Sequence, residues 1–102
     1  MKLGCAIGCF TYPHYSAPYE EPLRRVAALG FDGVEMIAAE PEDLSAYYTP
    51  ERVRALAKQV SESGMEVSEF ILYASLVTGL AEREESVKQA ALEVVRRGIG
   101  VA

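Results

Sequence analysis

Two apolar patterns alternate along the chain. One is a helical stripe, with apolar residues three and four apart; the other is a short apolar run of strand length. Leu23, Val26 and Ala27 mark a stripe over residues 19–29, and the run Phe31 to Ile37 follows it. Val53, Leu56, Ala57 and Val60 mark the next stripe, followed by the run Met65 to Leu72. Val87, Ala91 and Val94 mark a third over residues 82–97, after which GIGVA opens another run. Ahead of all these, Lys2 to Phe10 (KLGCAIGCF) predicts a first strand, with Gly4 and Gly8 where side chains would crowd a neighbour.

The helix ends are signalled independently of the stripes. Gly30, Gly64 and Gly98 each follow a helical stripe, where a glycine supplies the left-handed conformation that stops a helix. They are spaced 34 residues apart. Thr49 is a good N-cap, Pro50 suits the first helical position, and Glu51 suits the positive end of the helix dipole. Pro22 fits only the first turn of the first helix. Glu82, Glu84 and Glu85 crowd the start of the third helix and Arg96 and Arg97 its finish, as the dipole prefers.

A fixed period decides the architecture. Each repeat holds one helix and one strand rather than two helices, which is the size and content of a βα unit, and such units build parallel sheets. Eight repeats of this length would approach the roughly 250 residues of a (β/α)8 barrel. The expected fold class is therefore α/β: the first three βα units, plus the start of a fourth strand at GIGVA, of a TIM barrel. Residues 1–102 read as the N-terminal part of one such domain, apparently truncated, with no linker or internal boundary. Three units leave both sheet edges open, so self-association or pairing with a partner is expected of the chain alone. The 38–48 connection is long for a βα loop, and long loops after strands are where function tends to sit. The 73–81 connection is apolar enough to pack over the strand ends.

Charge narrows the partners. The formal net charge of −5 argues against a sequence-independent hold on nucleic acid, which relies on Lys and Arg neutralising phosphates. No run of about 18 apolar residues predicts a membrane span, and the N-terminus lacks the pattern of a signal peptide. Cys5 and Cys9, on one continuous strand, would lie about 13 Å apart, beyond the roughly 7 Å that a disulfide bridges. Free thiols fit a reducing cytoplasm. Two cysteines with no second pair and no nearby histidines make a poor zinc site.

In a barrel of this kind, active groups project from the C-terminal ends of the strands. That rule selects Cys9 to His14, Glu35 with its loop, and Glu69 to Tyr73. Glu35 is the sharpest candidate. Strand alternation puts Gly33, Glu35 and Ile37 on one face and Val34 and Met36 on the other. If Val34 and Met36 meet the helices, Glu35 points into the barrel. A carboxylate there acts as an acid/base or as an anchor for a substrate or metal-bound group; alternatively it orders a neighbouring Arg, Lys or backbone N–H. Glu69 takes the same place one repeat later, with a structural or rim role the expectation. His14, in the TYPHYSAP loop, could contact substrate or could simply face solvent. Phe10, Tyr12 and Tyr15 could wall a small ligand, or pack the loop. Cys9 has no neighbouring base to activate it as a nucleophile. GCAIGCF has the wrong spacing for either a dinucleotide fingerprint or a Walker loop.

The order KLGCAIGCF, RRVAALGFDGVEMIA, TPERVRALAKQVSESGMEVSEF and REESVKQAALEVVRRGIGVA resembles the sugar phosphate isomerase/epimerase family, the xylose isomerase-like TIM barrels. LGFDGVEMIA is the most specific match, and SGMEVSEF is the second. The resemblance spans the whole chain but only the N-terminal part of the family's barrel. It implies aldose–ketose isomerisation or epimerisation of a sugar or sugar phosphate, by proton transfer alpha to a carbonyl through an enediolate. It also implies a divalent metal (Mn, Mg, Co or Zn) whose ligands come mainly from later strands, so no metal ligand is assigned in this chain. The substrate side carries over: Glu35 as the catalytic carboxylate, with Cys9, Phe10, Tyr12 and His14 for substrate binding. The chain alone is then expected to be inactive. The family's DNA-repair endonuclease branch fits the acidic balance poorly. The competing expectation is a small non-catalytic βα protein that completes its sheet with a second copy or a partner.

Overall fold

The structure is a computed structural model that describes residues 1–11, 16–81 and 83–102. It is an α/β fold with a three-stranded, all-parallel sheet in the order β1-β2-β3. The strands are β1 (Gly4–Ala6), β2 (Gly33–Ala38) and β3 (Glu66–Leu72). The helices are α1 (Glu20–Ala28), α2 (Pro50–Glu62), the single turn α3 (Ala74–Val77) and α4 (Glu85–Val101). Strand and helix alternate, as the two patterns in the sequence predict.

The helix signals act as expected. Thr49 Oγ1 accepts the Arg52 N–H at 3.2 Å and Pro50 opens α2. Gly30 and Gly64 take positive φ values of 82° and 74°, a conformation that strains any residue with a Cβ. Asp32 then fastens the start of the sheet. Its Oδ2 accepts the Leu3 N–H at 2.9 Å, its own N–H donates to the Leu3 carbonyl, and its carbonyl accepts the Glu66 N–H.

One sheet face meets the helices. Val34, Met36 and Ala38 are buried there, and Met36 and Ala38 pair in register with Phe70 and Leu72 of β3. Leu56 and Val60 of α2 pack onto this layer, together with Leu23 and Val26 of α1 and Ile7. The opposite face carries Glu35, Ile37, Glu69 and Ile71. The 34-residue period is visible as register: Glu35, Met36, Ile37 and Ala38 lie beside Glu69, Phe70, Ile71 and Leu72. A bulge at Ser68 sets this register, because below it Val34 pairs with Val67.

Two expectations fail. GIGVA does not begin a fourth strand; Gly98 to Val101 continue α4. A strand there would need a ladder partner, whereas a helix satisfies its backbone internally. Gly98 also contributes, since a Cβ in its place would lie 2.7 Å from Leu72 Cδ2. The bare backbone lets α4 close onto β3. The first strand also stops early, at Ala6 rather than Phe10. Ile7–Phe10 form a 3-10 turn, in which the Gly8 carbonyl accepts both the Thr11 N–H and the Thr11 hydroxyl. Two glycines weaken a strand, and local hydrogen bonds take over from the ladder.

The connections are more ordered than loops. Asp43–Tyr47 form a π-helical turn closed by the Tyr48 N–H on the Asp43 carbonyl at 2.7 Å. Of the 73–81 stretch, Leu76 is buried as its apolar character predicts, while Leu80 remains 42% exposed. On α4, Ala91 is buried and Val94 is half-buried, but Val87 stays exposed. No helix of the described residues is long and apolar enough to cross a membrane.

Candidate functional site

Glu35 lies at the third position of β2, level with Ala6, the last residue of β1, and with Glu69 of β3. Adjacent strands run about 4.8 Å apart, so two carboxylates stand side by side on the face opposite the helices. Glu35 is half-buried and Glu69 is exposed. Among the described residues, no Lys or Arg lies within ion-pair distance of either, and neither side chain accepts a hydrogen bond. The role of ordering a neighbouring cation or N–H is thus unfilled for Glu35 among those residues.

The end of β1 adds two sequence-predicted residues to this neighbourhood. Phe10 is half-buried against the core and Cys9 is exposed, both in the turn that leaves the strand. Cys5 is half-buried, and both thiols are free. Burial pushes the Cys5 thiol up first, helped by Cys9 and more weakly by the charge of Glu35. Cys5 is in register with Val34 and packs on the core side of the sheet, on the face away from Glu35. The two cysteines do not lie on one straight strand, because β1 ends at Ala6 and Cys9 sits in the 3-10 turn that follows. Tyr12, His14 and Tyr15 lie outside the described residues.

Sequence reasoning missed a polar cluster beside the end of β2. Asp43 is buried, and its Oδ2 accepts the Ala39 N–H at 2.8 Å and the Glu40 N–H at 3.2 Å. It thereby caps the strand end that follows Glu35 by a few residues. The Tyr48 hydroxyl donates to the Ile37 carbonyl at 2.8 Å. The Tyr47 hydroxyl accepts the Tyr19 N–H at 2.8 Å and donates to Glu20 Oε2 at 2.9 Å. Arg52 stacks 4.6 Å from the Tyr47 ring centre and pairs with Glu20, and Gln59 donates to the Glu20 carbonyl. These contacts fix α1, the π-helical turn and α2 behind the strand ends. Burial pushes all three tyrosines up, Tyr47 to about 12, so each is a neutral hydrogen-bonding group. The signal in the sequence was the pair Tyr47-Tyr48 directly before the Thr49 cap.

A divalent ion takes about four to six ligands. Among the described residues, no three of His, Cys, Asp and Glu gather in one place. Glu35 and Glu69 do not by themselves fit such an ion. Comparison with known proteins found no family model and no curated protein that matches the chain.

Proposed function

We propose that this chain is the substrate-side part of a sugar or sugar phosphate isomerase/epimerase, built as the first three strands of a (β/α)8 barrel and working in the cytoplasm. Glu35 is the carboxylate that takes and returns the proton alpha to the substrate carbonyl. The observation that carries this reading is Glu35 itself: half-buried on the central strand, beside Glu69, with no cation paired to it among the described residues. A carboxylate held without a structural partner is one that a substrate can use. Cys9 and Phe10 border the same strand end and would line the substrate, with Tyr12 and His14 following them in the chain. The divalent metal implied by the resemblance would draw its ligands from other strands and would supply Lewis-acid polarisation of the substrate carbonyl.

The test is proton exchange. The polypeptide that carries this sequence in its source cell is incubated in heavy water with a panel of ketoses and ketose phosphates and with divalent metal. Deuterium is expected alpha to the carbonyl, with a loss of about 100- to 10,000-fold for Glu35→Gln. Exchange that Glu35→Gln leaves intact, or no exchange with any sugar, overturns the assignment.

A second reading is favoured by the edge of β3. Val67 is 50% exposed there, and Glu66 to Glu69 are all open to solvent. On this reading the chain is a non-catalytic βα protein that completes its sheet with a second copy. Sedimentation of the 102-residue chain separates the two: a concentration-dependent dimer without exchange activity favours it, and a monomer at all concentrations removes it.

A further inference from the structure

We propose that Asp43 and Tyr48 are positioning residues for Glu35, holding the end of β2 where β1 no longer does. The proposal rests on the reading of Glu35 as the catalytic carboxylate and deepens it. Its basis is a change in the sheet at Glu35 itself. β1 ends at Ala6, level with Glu35, so Glu35 is the last residue of β2 with a strand on each side. Beyond it, β2 runs on to Ala38 with β3 as its ladder partner. The backbone groups of successive residues in a strand point alternately to its two neighbours. The Gly33 N–H donates to the Leu3 carbonyl on the β1 side, and the Ala38 carbonyl accepts the Tyr73 N–H on the β3 side. Ile37 therefore faces the side that β1 has left.

The π-helical turn fills that side with side chains. The Tyr48 hydroxyl donates to the Ile37 carbonyl at 2.8 Å. Just beyond, the Ala39 and Glu40 N–H groups donate to Asp43 Oδ2 at 2.8 and 3.2 Å. The Tyr48 N–H closes the turn on the Asp43 carbonyl at 2.7 Å, which sets the two residues against the strand end together. Asp43 and Tyr48 are only 7% and 5% exposed, so these bonds are shielded from water. The Glu35 carboxylate has no hydrogen bond or ion pair of its own among the described residues. Its place is set by the backbone that carries it, and that backbone is held by Asp43 and Tyr48. A strand end released on one side frays back toward Glu35. Displacing a reacting group by about 1 Å costs about 100-fold in rate. Cys9 and Phe10, the substrate contacts of the same reading, take no part in these bonds, so the loss falls on kcat rather than KM.

The test uses the polypeptide that carries this sequence in its source cell, with Tyr48→Phe, Asp43→Asn and, as a control, Val60→Ala. Val60 is buried near the far end of α2, so truncating it weakens the core without removing a bond at the end of β2. In the heavy-water exchange assay, Tyr48→Phe and Asp43→Asn should each lower kcat about 10- to 100-fold, with KM nearly unchanged. Val60→Ala should leave both constants close to native. A second readout needs no substrate: the carbon NMR resonance of the Glu35 carboxyl, assigned through its loss in Glu35→Gln. It should move or broaden in Tyr48→Phe and Asp43→Asn and stay in place in Val60→Ala. Should Asp43→Asn not fold, Tyr48→Phe, which removes one hydroxyl and keeps the ring, decides alone. A Glu35 resonance unmoved in the folded variants, or moved as far by Val60→Ala, overturns the proposal. So does an unchanged kcat in a chain whose exchange depends on Glu35. A native chain that exchanges no sugar overturns the isomerase reading instead, and the Glu35 resonance still decides whether Asp43 and Tyr48 position this carboxylate.

Discussion

Two tyrosine hydroxyls, both among buried rings, have opposite standing. Tyr47 Oη accepts a buried backbone N–H from Tyr19 and donates to Glu20. Tyr19 Oη is fully buried and has no hydrogen-bond partner among the described residues. The cost of a polar change depends on what is left behind, not on the group removed. Tyr47→Phe strands the Tyr19 N–H and should destabilise the fold by about 1–3 kcal/mol. Tyr19→Phe removes a hydroxyl that no described residue bonds, and its effect should stay within about 0.5 kcal/mol of zero or stabilise. Urea unfolding of the two variants checks the contrast. A comparable loss in both would mean that Tyr19 Oη has a partner, such as a buried water reaching Asp43, whose charge helps to raise the Tyr19 hydroxyl.

Elements differ in how much of them is written in local sequence. α2 is legible at both ends and in half of its stripe: Thr49, Pro50 and Glu51 mark its start and Gly64 its end, and of the stripe Leu56 and Val60 are buried, Val53 is half-buried and Ala57 is exposed. Thr49→Ala should cost about 1 kcal/mol in thermal or urea unfolding. A zero effect would mean that the Thr49 hydroxyl does not hold the Arg52 N–H. Glu35 and Glu69 were legible as a repeat, because a constant spacing of 34 residues becomes a constant register in a parallel sheet. The 3-10 turn after Ala6 was not, because a run such as AIGCF suits a strand as well as a turn, and pairing with β2 decides. Gly98 misled for a related reason. A glycine after a helical stripe is a stop signal when it faces solvent, but Gly98 is buried against Leu72, and the contact that keeps α4 running lies 26 positions back in the chain. Asp43 escaped notice because its value comes from two N–H groups of the chain ahead of it, in a turn that reads as an acidic loop.

At the scale of the whole molecule, one polar cluster couples the layers to pH. Tyr19 caps α1, Tyr47 and Tyr48 lead into α2, and Tyr48 packs edge-on to Phe70 of β3 with ring centres 5.2 Å apart. The three rings also pack on each other, with centres 5.0 to 6.1 Å apart. Burial raises all three hydroxyls above the ordinary value of 10.0, and Tyr47 reaches about 12 even though the Tyr19 N–H and Arg52 act to lower it. Unfolding returns the rings to water and to that ordinary value. Below it, all three are neutral in both states and stability should not depend on them. As pH rises through about 10, the unfolded chain releases these protons while the folded chain keeps them, so the unfolded state gains and stability falls. Urea midpoints should therefore be flat up to about pH 9 and decline steeply toward pH 11, with tyrosinate absorbance appearing together with unfolding rather than before it. Tyr47→Phe should reduce that slope, because it removes one of the protons released. Tyrosinate absorbance rising while the chain stays folded would mean that the cluster opens to solvent. The α1, π-turn and α2 layer would then be held to the sheet by its apolar contacts alone.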